Sequence, residues 1–162
     1  MIILSLDSGI EKTGYCLFDK SKTKTDPRLI QSGLILTSKL IKTEERLKQI
    51  YYEIRKLTKK YRPDVIVIEE LFFFKNQKTI VRVSQSQGVI LLIASLENVK
   101  IETLTPLEVK QSITGYGVAD KKSVQKMLKL LLKIDFSKMQ DDETDAIAVG
   151  LAYCYRLRNQ LQ

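Results

Sequence analysis

Apolar residues in the first part of the chain follow the pattern of β-strands. Residues 2–7 form an apolar run that ends in an acid, 14–18 form a second apolar segment, and 29–36 form a third. A charged segment, 19–28, separates the last two. Strands this close along a chain usually pair with one another. We therefore expect a three-stranded meander whose tip, residues 20–28, lies in solvent.

The period of the apolar positions then changes to that of a helix. Apolar side chains recur every three or four residues at Leu47, Ile50, Ile54 and Leu57. This spacing predicts a helix over 43–61, with Thr43 as its N-terminal cap and Pro63 beyond its end. Residues 65–69 (VIVIE) are apolar at every position before the final acid. Such a run is typical of a strand that is covered on both faces.

The following segment predicts a helix, a strand and another helix. A long, largely apolar stretch indicates a helix over 78–97, and residues 100–104 predict a strand. Residues 105–108 (TPLE) then combine a capping threonine, a proline at the first helical position and a glutamate at the third. This pattern is a capping box, and it starts a helix that ends near Thr114.

Two further helices complete the predicted order. Asp120 can cap the first of them, which carries an apolar stripe at Val124, Met127, Leu128 and Leu131. The second covers 141–158. A meander followed by alternating strands and helices predicts an α/β fold, in which helices flank a mixed sheet on both faces. The length and the absence of an interior linker predict a single domain, 1–162.

Composition narrows the class of protein. Lys and Arg outnumber Asp and Glu by 27 to 19, a formal net charge of +8 that favours an acidic partner such as nucleic acid. The chain has no histidine, which excludes Ser-His-Asp and Cys-His catalysis and nearly all zinc sites. Any bound metal must therefore use oxygen ligands, as Mg²⁺ and Mn²⁺ do.

The cysteines and the N-terminal segment indicate a compartment. Cys16 and Cys154 lack metal-ligand spacing and are expected to be buried free thiols in a reducing environment. The apolar run at 2–6 is too short for a signal peptide or a membrane span. We therefore expect a cytoplasmic protein with no membrane segment.

Carboxylates follow the predicted strands at matching positions. Asp7 and Glu69 each end an apolar strand, and if the two strands are parallel neighbours, both acids lie at one edge of the sheet. Open α/β sheets place their sites at this edge. A single acid at such a position more often simply begins a loop.

The last predicted helix adds more acids. Helix capping can explain Asp142, but Asp145 falls one turn later on the same helix face and borders the buried stripe. An unpaired charge there is costly, and we expect metal to offset the cost. Together with Asp7 and Glu69, these acids suit two divalent ions about 3.5–4 Å apart, an arrangement that hydrolyses phosphodiesters without histidine or a covalent nucleophile.

Four motifs along the chain resemble those of one family. They are Asp7-Ser8-Gly9 with Thr13-Gly14-Tyr15; Ile68-Glu69-Glu70-Leu71-Phe72 with Lys75-Asn76; Val109-Lys110-Gln111 with Gly115-Tyr116-Gly117 and Asp120-Lys121; and Asp142 to Asp145 followed by Ala146-Ile147-Ala148. In this order they resemble the RuvC Holliday junction resolvases of the ribonuclease H-like superfamily. One departure is Ser8, where the family usually has proline.

The resemblance implies a ribonuclease H-like fold with a five-stranded sheet and a nuclease that resolves four-way (Holliday) DNA junctions in recombination and repair. It implies a homodimer, two Mg²⁺ ions per active site with Mn²⁺ as a substitute, and paired symmetric nicks. A branch-migration complex is a further candidate partner. The resemblance also assigns catalytic and metal-binding roles by position, with Glu69 preferred to Glu70, to Asp7, Glu69, Asp142 and Asp145.

The same resemblance identifies candidate DNA-binding residues. Phe72 matches an aromatic residue that contacts bases at the junction crossover, although a Phe in an apolar run is often only core. Lys110 and Lys121 match basic residues near the family's active site, and the resemblance implies that they hold either the phosphate backbone or the developing negative charge. In a chain with so many basic residues, any single lysine is more often a solvent-exposed residue with no role in binding.

Three other classes of function remain open. The carboxylates alone also suit a ribonuclease H-like nuclease that cuts RNA–DNA hybrids, or branched DNA more broadly. The Asp-x-Gly turn also occurs in sugar-kinase and actin-like ATPases, although those need two such domains. A non-catalytic DNA-binding protein is disfavoured because four acids on a DNA-facing surface would repel phosphate unless metal were bound.

Overall fold

The computed structural model of the protein describes residues 1–20, 26–70 and 77–159. Within these ranges, strands and helices follow in the order that the sequence predicts. They are β1 (Ile2–Asp7), β2 (Lys12–Asp19), β3 (Arg28–Leu36), α1 (Thr43–Tyr61), β4 (Val65–Glu69), α2 (Gln77–Leu96), β5 (Lys100–Leu104), α3 (Pro106–Thr114), α4 (Lys121–Leu132) and α5 (Asp141–Asn159). Part of the expected solvated tip, 21–25, lies outside the described residues.

The strands form one mixed sheet in the order β3-β2-β1-β4-β5. The meander β1-β2-β3 is antiparallel, whereas β1 pairs with β4, and β4 with β5, in parallel. Strand β1 therefore lies at the centre, with hydrogen-bonded neighbours on both sides. The predicted five-stranded mixed sheet, and the parallel pairing of β1 with β4, are confirmed.

Alternating side chains of the central strands enter two separate cores. On one face, Ile3 of β1 and Val65 and Val67 of β4 pack with buried residues of α3, α4 and α5. On the other face, Leu4 and Leu6 of β1, Ile66 and Ile68 of β4 pack with residues of α1 and α2. Strand β4 is thus apolar on both sides because helices cover both faces, as predicted.

The helix starts agree with the sequence in two cases and differ in one. Thr105 accepts a hydrogen bond from the backbone N–H of Glu108, and the Glu108 carboxylate accepts one from the Thr105 N–H, which completes the capping box. Asp120 accepts from the Ser123 N–H at 2.8 Å. The prediction that Thr43 caps α1 is wrong. Lys42 occupies the cap without a side-chain hydrogen bond, and the helix already includes Thr43.

Two predictions about burial and membrane association can also be compared with the structure. Cys16 and Cys154 are buried free thiols, as expected. In the described parts of the chain, no helix combines the length and the apolar character that crossing a membrane requires.

Candidate active site

The ends of β1 and β4 place Asp7 beside Glu69. The parallel register pairs Ser5 with Val67 and Leu6 with Ile68, so the next step along both strands brings Asp7 opposite Glu69. Because side chains alternate along a strand, both acids share the sheet face of Ser5 and Val67, which is the face that α5 covers.

Glu70, the alternative to Glu69, lies outside this arrangement. Its side chain is exposed, and its backbone N–H donates to the Leu104 carbonyl at 2.8 Å beyond the end of β4. The strand alternation therefore favours Glu69 as the member of the site, in agreement with the motif.

A glycine in β2 brings the start of α5 against the sheet. Gly14 pairs with Asp7 in the antiparallel register. A β-carbon on Gly14 would lie 1.8 Å from the carbonyl oxygen of Asp142, a distance that no side chain can occupy. The α5 backbone at Asp142 thus rests directly on the strand beside Asp7, and only glycine permits this approach.

A buried hydroxyl joins the middle of α5 to β1. Ser5 is fully buried, and its Oγ donates to the Ala146 carbonyl at 2.7 Å. One turn further along, a β-carbon on Gly150 would lie 2.4 Å from the same Oγ. Ser5 and the two glycines therefore fix the distance between the sheet and the helix that carries Asp142 and Asp145.

The four carboxylates form one electrostatic unit, which we call the carboxylate cluster (Asp7, Glu69, Asp142 and Asp145). Burial raises the pKa of Asp7 to about 7, and the charges of Asp145, Glu69 and Asp142 add to the shift. Burial and the charge of Asp145 raise the pKa of Glu69 to about 6. Both acids resist ionisation because burial disfavours their charged forms, and neighbouring negative charge adds to this effect.

Asp145 has a partner that the sequence did not predict. The Lys121 ammonium lies 2.9 Å from one Asp145 oxygen and 3.4 Å from an oxygen of Asp141. Lys121 therefore offsets part of the cost of placing a charge at this position, for which the sequence had suggested only a metal ion. Burial still raises the pKa of Asp145 although Lys121 opposes the shift, and 43% of the Asp145 side chain remains exposed.

Two cavities flank the carboxylate cluster. The first, which we call the Arg82 cavity, has a volume of about 530 Å³ and is lined by Asp7, Ser8, Gly9, Ile10, Glu11, Lys12, Arg82, Val83 and Asp142. The second, the Lys121 cavity, has a volume of about 280 Å³ and is lined by Glu69, Pro106, Val109, Lys110, Lys121, Val124, Asp145 and Ala148. The structure thus brings both predicted lysines, Lys110 and Lys121, to the cluster.

The cluster suits a divalent cation in donor chemistry and charge. All four side chains offer carboxylate oxygens, the ligands that Mg²⁺ and Mn²⁺ prefer. Burial and the charges of neighbouring acids raise the pKa values of Asp7 and Glu69, and a bound cation would favour their ionised forms. Among the residues that the structure describes, no three carboxylates or thiols stand close enough together to make a ready-formed metal site. The side chains fit the ion, and closing around it requires them to move.

Sequence reasoning assigned no role to Ser5 or Arg82, although Ser5 is a polar residue inside an apolar run and Arg82 lies between two valines. It placed Gly14 in a motif without predicting its contact with α5, and it named one residue that the structure does not describe. Phe72, the candidate base-stacking residue, lies outside the described residues.

Comparison with known proteins identifies relatives of the whole chain. Residues 3–153 match the family model described as "Crossover junction endodeoxyribonuclease RuvC". The protein of that name from Fusobacterium nucleatum is 41% identical over 161 residues, which cover 99% of this chain and 84% of the relative. The one from Thermosipho melanesiensis is 45% identical over 154 residues, 95% of this chain and 96% of the relative.

Solved structures show the same fold. A Thermus thermophilus RuvC structure matches with a TM-score of 0.89 and 24% identity over 99% of this chain and 97% of the other. A second T. thermophilus RuvC, solved in complex with a Holliday junction substrate, gives a TM-score of 0.90 at 24% identity, covering 99% and 96%. The predicted ribonuclease H-like fold is thereby confirmed, and the chain belongs to the RuvC family of crossover junction endodeoxyribonucleases.

Proposed function

We propose that this protein resolves four-way DNA junctions by hydrolysing one phosphodiester in each of two opposed strands, and that the carboxylate cluster is its catalytic centre. The observation that carries the proposal is the convergence of four carboxylates from two strand ends and one helix, in a chain that belongs to a junction endonuclease family. A T. thermophilus relative has been solved with such a junction.

Two Mg²⁺ ions, with Mn²⁺ as a substitute, are the proposed cofactors, and Asp7, Glu69, Asp142 and Asp145 would hold them. When bound, such ions supply an activated water and stabilise the leaving oxygen. The chain contributes the placement of the ligands. Asp7 and Glu69 are fixed by the β1–β4 register, and Asp142 and Asp145 by the contact of α5 with Gly14 and Ser5.

Lys110 and Lys121 are proposed to bind the phosphates of the cleaved strand. Both line the Lys121 cavity beside Glu69 and Asp145. Lys121 pairs with Asp145 in this structure, so it is held next to the cluster before DNA arrives. A phosphate that enters the cavity can accept a hydrogen bond from the same ammonium group, which is then shared between substrate and carboxylate.

A basic face on α4 extends this surface away from the cluster. Lys122, Lys126 and Lys129 recur at helical spacing and are all exposed, as is Lys133 at the C-terminal cap. Residues three or four apart share one helix face. We assign this face to the phosphates of a duplex arm, because contacts of this kind add affinity without reading sequence.

Two copies of the chain are proposed to act together, because symmetric nicks in two strands require two catalytic centres. Helix α2 is the proposed contact. Its exposed apolar side chains are Val81, Leu91, Leu92 and Leu96. A branch-migration complex is a further proposed partner, and the cytoplasm is the proposed location, which agrees with the buried free thiols Cys16 and Cys154.

The test compares substrates with and without Mg²⁺. The protein is incubated with a four-way junction, a linear duplex of the same sequence and an RNA–DNA hybrid, and the nicks are mapped. We expect paired symmetric nicks in the junction only, and only with the metal. Cleavage of the hybrid alone would identify the alternative ribonuclease H-like activity, and cleavage of several branched substrates would identify a broader branched-DNA nuclease.

A further inference from the structure

The proposed cleavage chemistry uses the carboxylate cluster and the Lys121 cavity but not the Arg82 cavity. It opens on the Asp7 and Asp142 side of the carboxylate cluster, whereas the Lys121 cavity opens on the Glu69 and Asp145 side. Its volume of about 530 Å³ falls within the range of about 300–1,000 Å³ that is usual for ligand sites. The cluster thus forms a ridge between two cavities.

The charges in this cavity favour an anion. Among the described residues, Arg82 is exposed and forms no ion pair, while Lys12 donates to the neutral Gln140 side chain at 2.8 Å. Glu11, which also lines the cavity, pairs instead with Lys39 at 2.9 Å. Two positive charges therefore remain uncompensated once the cluster acids are neutralised by cations.

A hydrogen bond ties helix α2, which carries Arg82, to the end of β4. Gln87 of α2 donates from Nε2 to the backbone carbonyl of Glu69 at 2.9 Å. Arg82 lies five residues earlier, a little more than one helical turn. Helix α2 is therefore tied to the end of β4, next to the cluster, and presents Arg82 from the helix layer opposite α5.

A DNA strand that places its scissile phosphate on the ridge carries further phosphates to both sides. On one side they meet Lys110 and Lys121, and on the other they enter the Arg82 cavity. A guanidinium group can bind a phosphate with two parallel hydrogen bonds, which fixes its direction as well as its position. Arginine on that side would therefore orient the strand across the cluster.

We propose that Arg82 binds the phosphate of a nucleotide that flanks the scissile phosphate, on the side of the carboxylate cluster away from Lys110 and Lys121. The proposal rests on the proposed nuclease function. It adds a second phosphate-binding contact to the cleaved strand, so the scissile phosphate lies between two cationic sites instead of beside one.

Substrates with single neutral phosphates test this directly. After the nicks of the wild-type protein are mapped, each of the two phosphates on either side of the scissile one is replaced in turn by a methylphosphonate. Binding is measured in the Asp7→Asn background, so that no cleavage occurs, and single-turnover cleavage is measured with Asp7 intact. Both are compared for the native residue, Arg82→Gln and Arg82→Lys.

We expect Arg82→Gln to weaken junction binding roughly three- to tenfold near physiological salt and to reduce the salt slope by about 1. At one flanking position, the methylphosphonate should weaken binding by the native protein by a similar factor and have no further effect on Arg82→Gln. Arg82→Lys should restore the salt slope but only part of the cleavage rate, since an ammonium cannot form the paired contact.

Lys56→Gln is the matched control, because Lys56 is an exposed cation on α1, on the other side of the molecule from α5. The loss of binding caused by Lys56→Gln should be independent of the loss caused by each methylphosphonate, so the two factors should multiply at every position. The proposal is overturned if Arg82→Gln behaves like this control while the native protein still nicks the junction. A native protein that nicks no junction would instead overturn the proposed function on which the assignment rests.

Discussion

Helix α5 touches one face of the sheet with its backbone, whereas α1 lies on the other face behind a layer of aliphatic side chains. On the α5 side, a β-carbon on Gly14 would lie 1.8 Å from the Asp142 carbonyl oxygen. On the α1 side, Ile50 and Ile54 are fully buried against leucines of β1. The helix that carries two of the cluster acids is thus placed by contacts that leave no room for adjustment.

This difference shows that packing on the α1 face mainly stabilises the fold, whereas packing on the α5 face positions the cluster acids. Aliphatic layers tolerate small changes of volume because neighbouring side chains adjust. A backbone-to-backbone contact has no side chain that can adjust, so a change there moves the helix itself. Substitutions on the α5 face should therefore lower the cleavage rate of the folded molecules. Those on the α1 face should lower the free energy of unfolding without changing that rate.

The largest effect on cleavage is expected from Asp7→Asn. This change keeps the size of the side chain but removes a charge from the centre of the cluster, so cleavage in Mg²⁺ should fall at least about 100-fold. Junction binding, measured by gel shift, should persist because the basic residues are unchanged. Glu70→Gln is the control, since Glu70 is exposed beyond the cluster. Full cleavage by Asp7→Asn would remove Asp7 from the catalytic set.

Gly14→Ala is expected to have the next largest effect. The added methyl group cannot share space with the Asp142 carbonyl, so the start of α5 must move away from Asp7. Cleavage per folded molecule should fall roughly 10- to 100-fold, since a displacement of about 1 Å at a reacting group costs this much. Single-turnover rates, corrected for the folded fraction by circular dichroism, provide the measurement.

The comparison variant for Gly14→Ala is Ile54→Ala on the opposite face. Removing this fully buried side chain should lower the free energy of unfolding by about 2–5 kcal/mol. Its cleavage rate per folded molecule should equal that of the native protein. If Ile54→Ala slows cleavage as much as Gly14→Ala does, the two faces do not differ in the way we describe.

A smaller effect is expected from Ser5→Ala. It removes the hydrogen bond to the Ala146 carbonyl and should lower stability by about 1 kcal/mol. Because α5 is then held less firmly, the cleavage rate should fall several-fold. Thr58→Val removes a similar buried bond, from the Thr58 hydroxyl to the Ile54 carbonyl, on the α1 face. It should match the loss of stability without slowing cleavage.

The last prediction concerns the stability of the metal-free protein and its dependence on pH, with no change in cleavage chemistry. The folded-state pKa of Asp7, about 7, and that of Glu69, about 6, lie above their ordinary values. The folded protein therefore holds more protons than the unfolded chain, and these groups should reduce stability as pH rises from about 4 to about 7. Urea unfolding in EDTA should show this decline, and Asp7→Asn should flatten most of it.

The order of elements could be predicted from the sequence, and so could the position of Asp7 and Glu69 at neighbouring strand ends. Periodicity identifies β1 and β4, and their parallel pairing follows from the helix between them. The choice of Glu69 over Glu70 follows from strand alternation. The order of elements and the parallel pairing are confirmed because each depends on local sequence and on one rule of topology. The catalytic role of the acids stays a prediction.

Contacts between distant elements could not be predicted in the same way. The pairing of Lys121 with Asp145 depends on how α4 and α5 meet, and a lysine in a sequence does not show which acid it will face. Gly14 could equally have marked a turn or a bulge, since glycine suits many backbone states. The cap of α1 was misplaced by one residue, because Lys42 occupies the cap without a side-chain hydrogen bond and the start of the helix is supported by Glu44 and Glu45, which complement the helix dipole.

The central position of β1 has a consequence for the lifetime of the site. Its backbone is hydrogen-bonded to β2 along one edge and to β4 along the other, and Asp7 is its final residue. Amide protons of such a strand exchange with solvent chiefly through global unfolding. The β1 amides should accordingly be among the slowest to exchange with deuterium, and Asp7 should keep its place during the local openings that expose the outer strands.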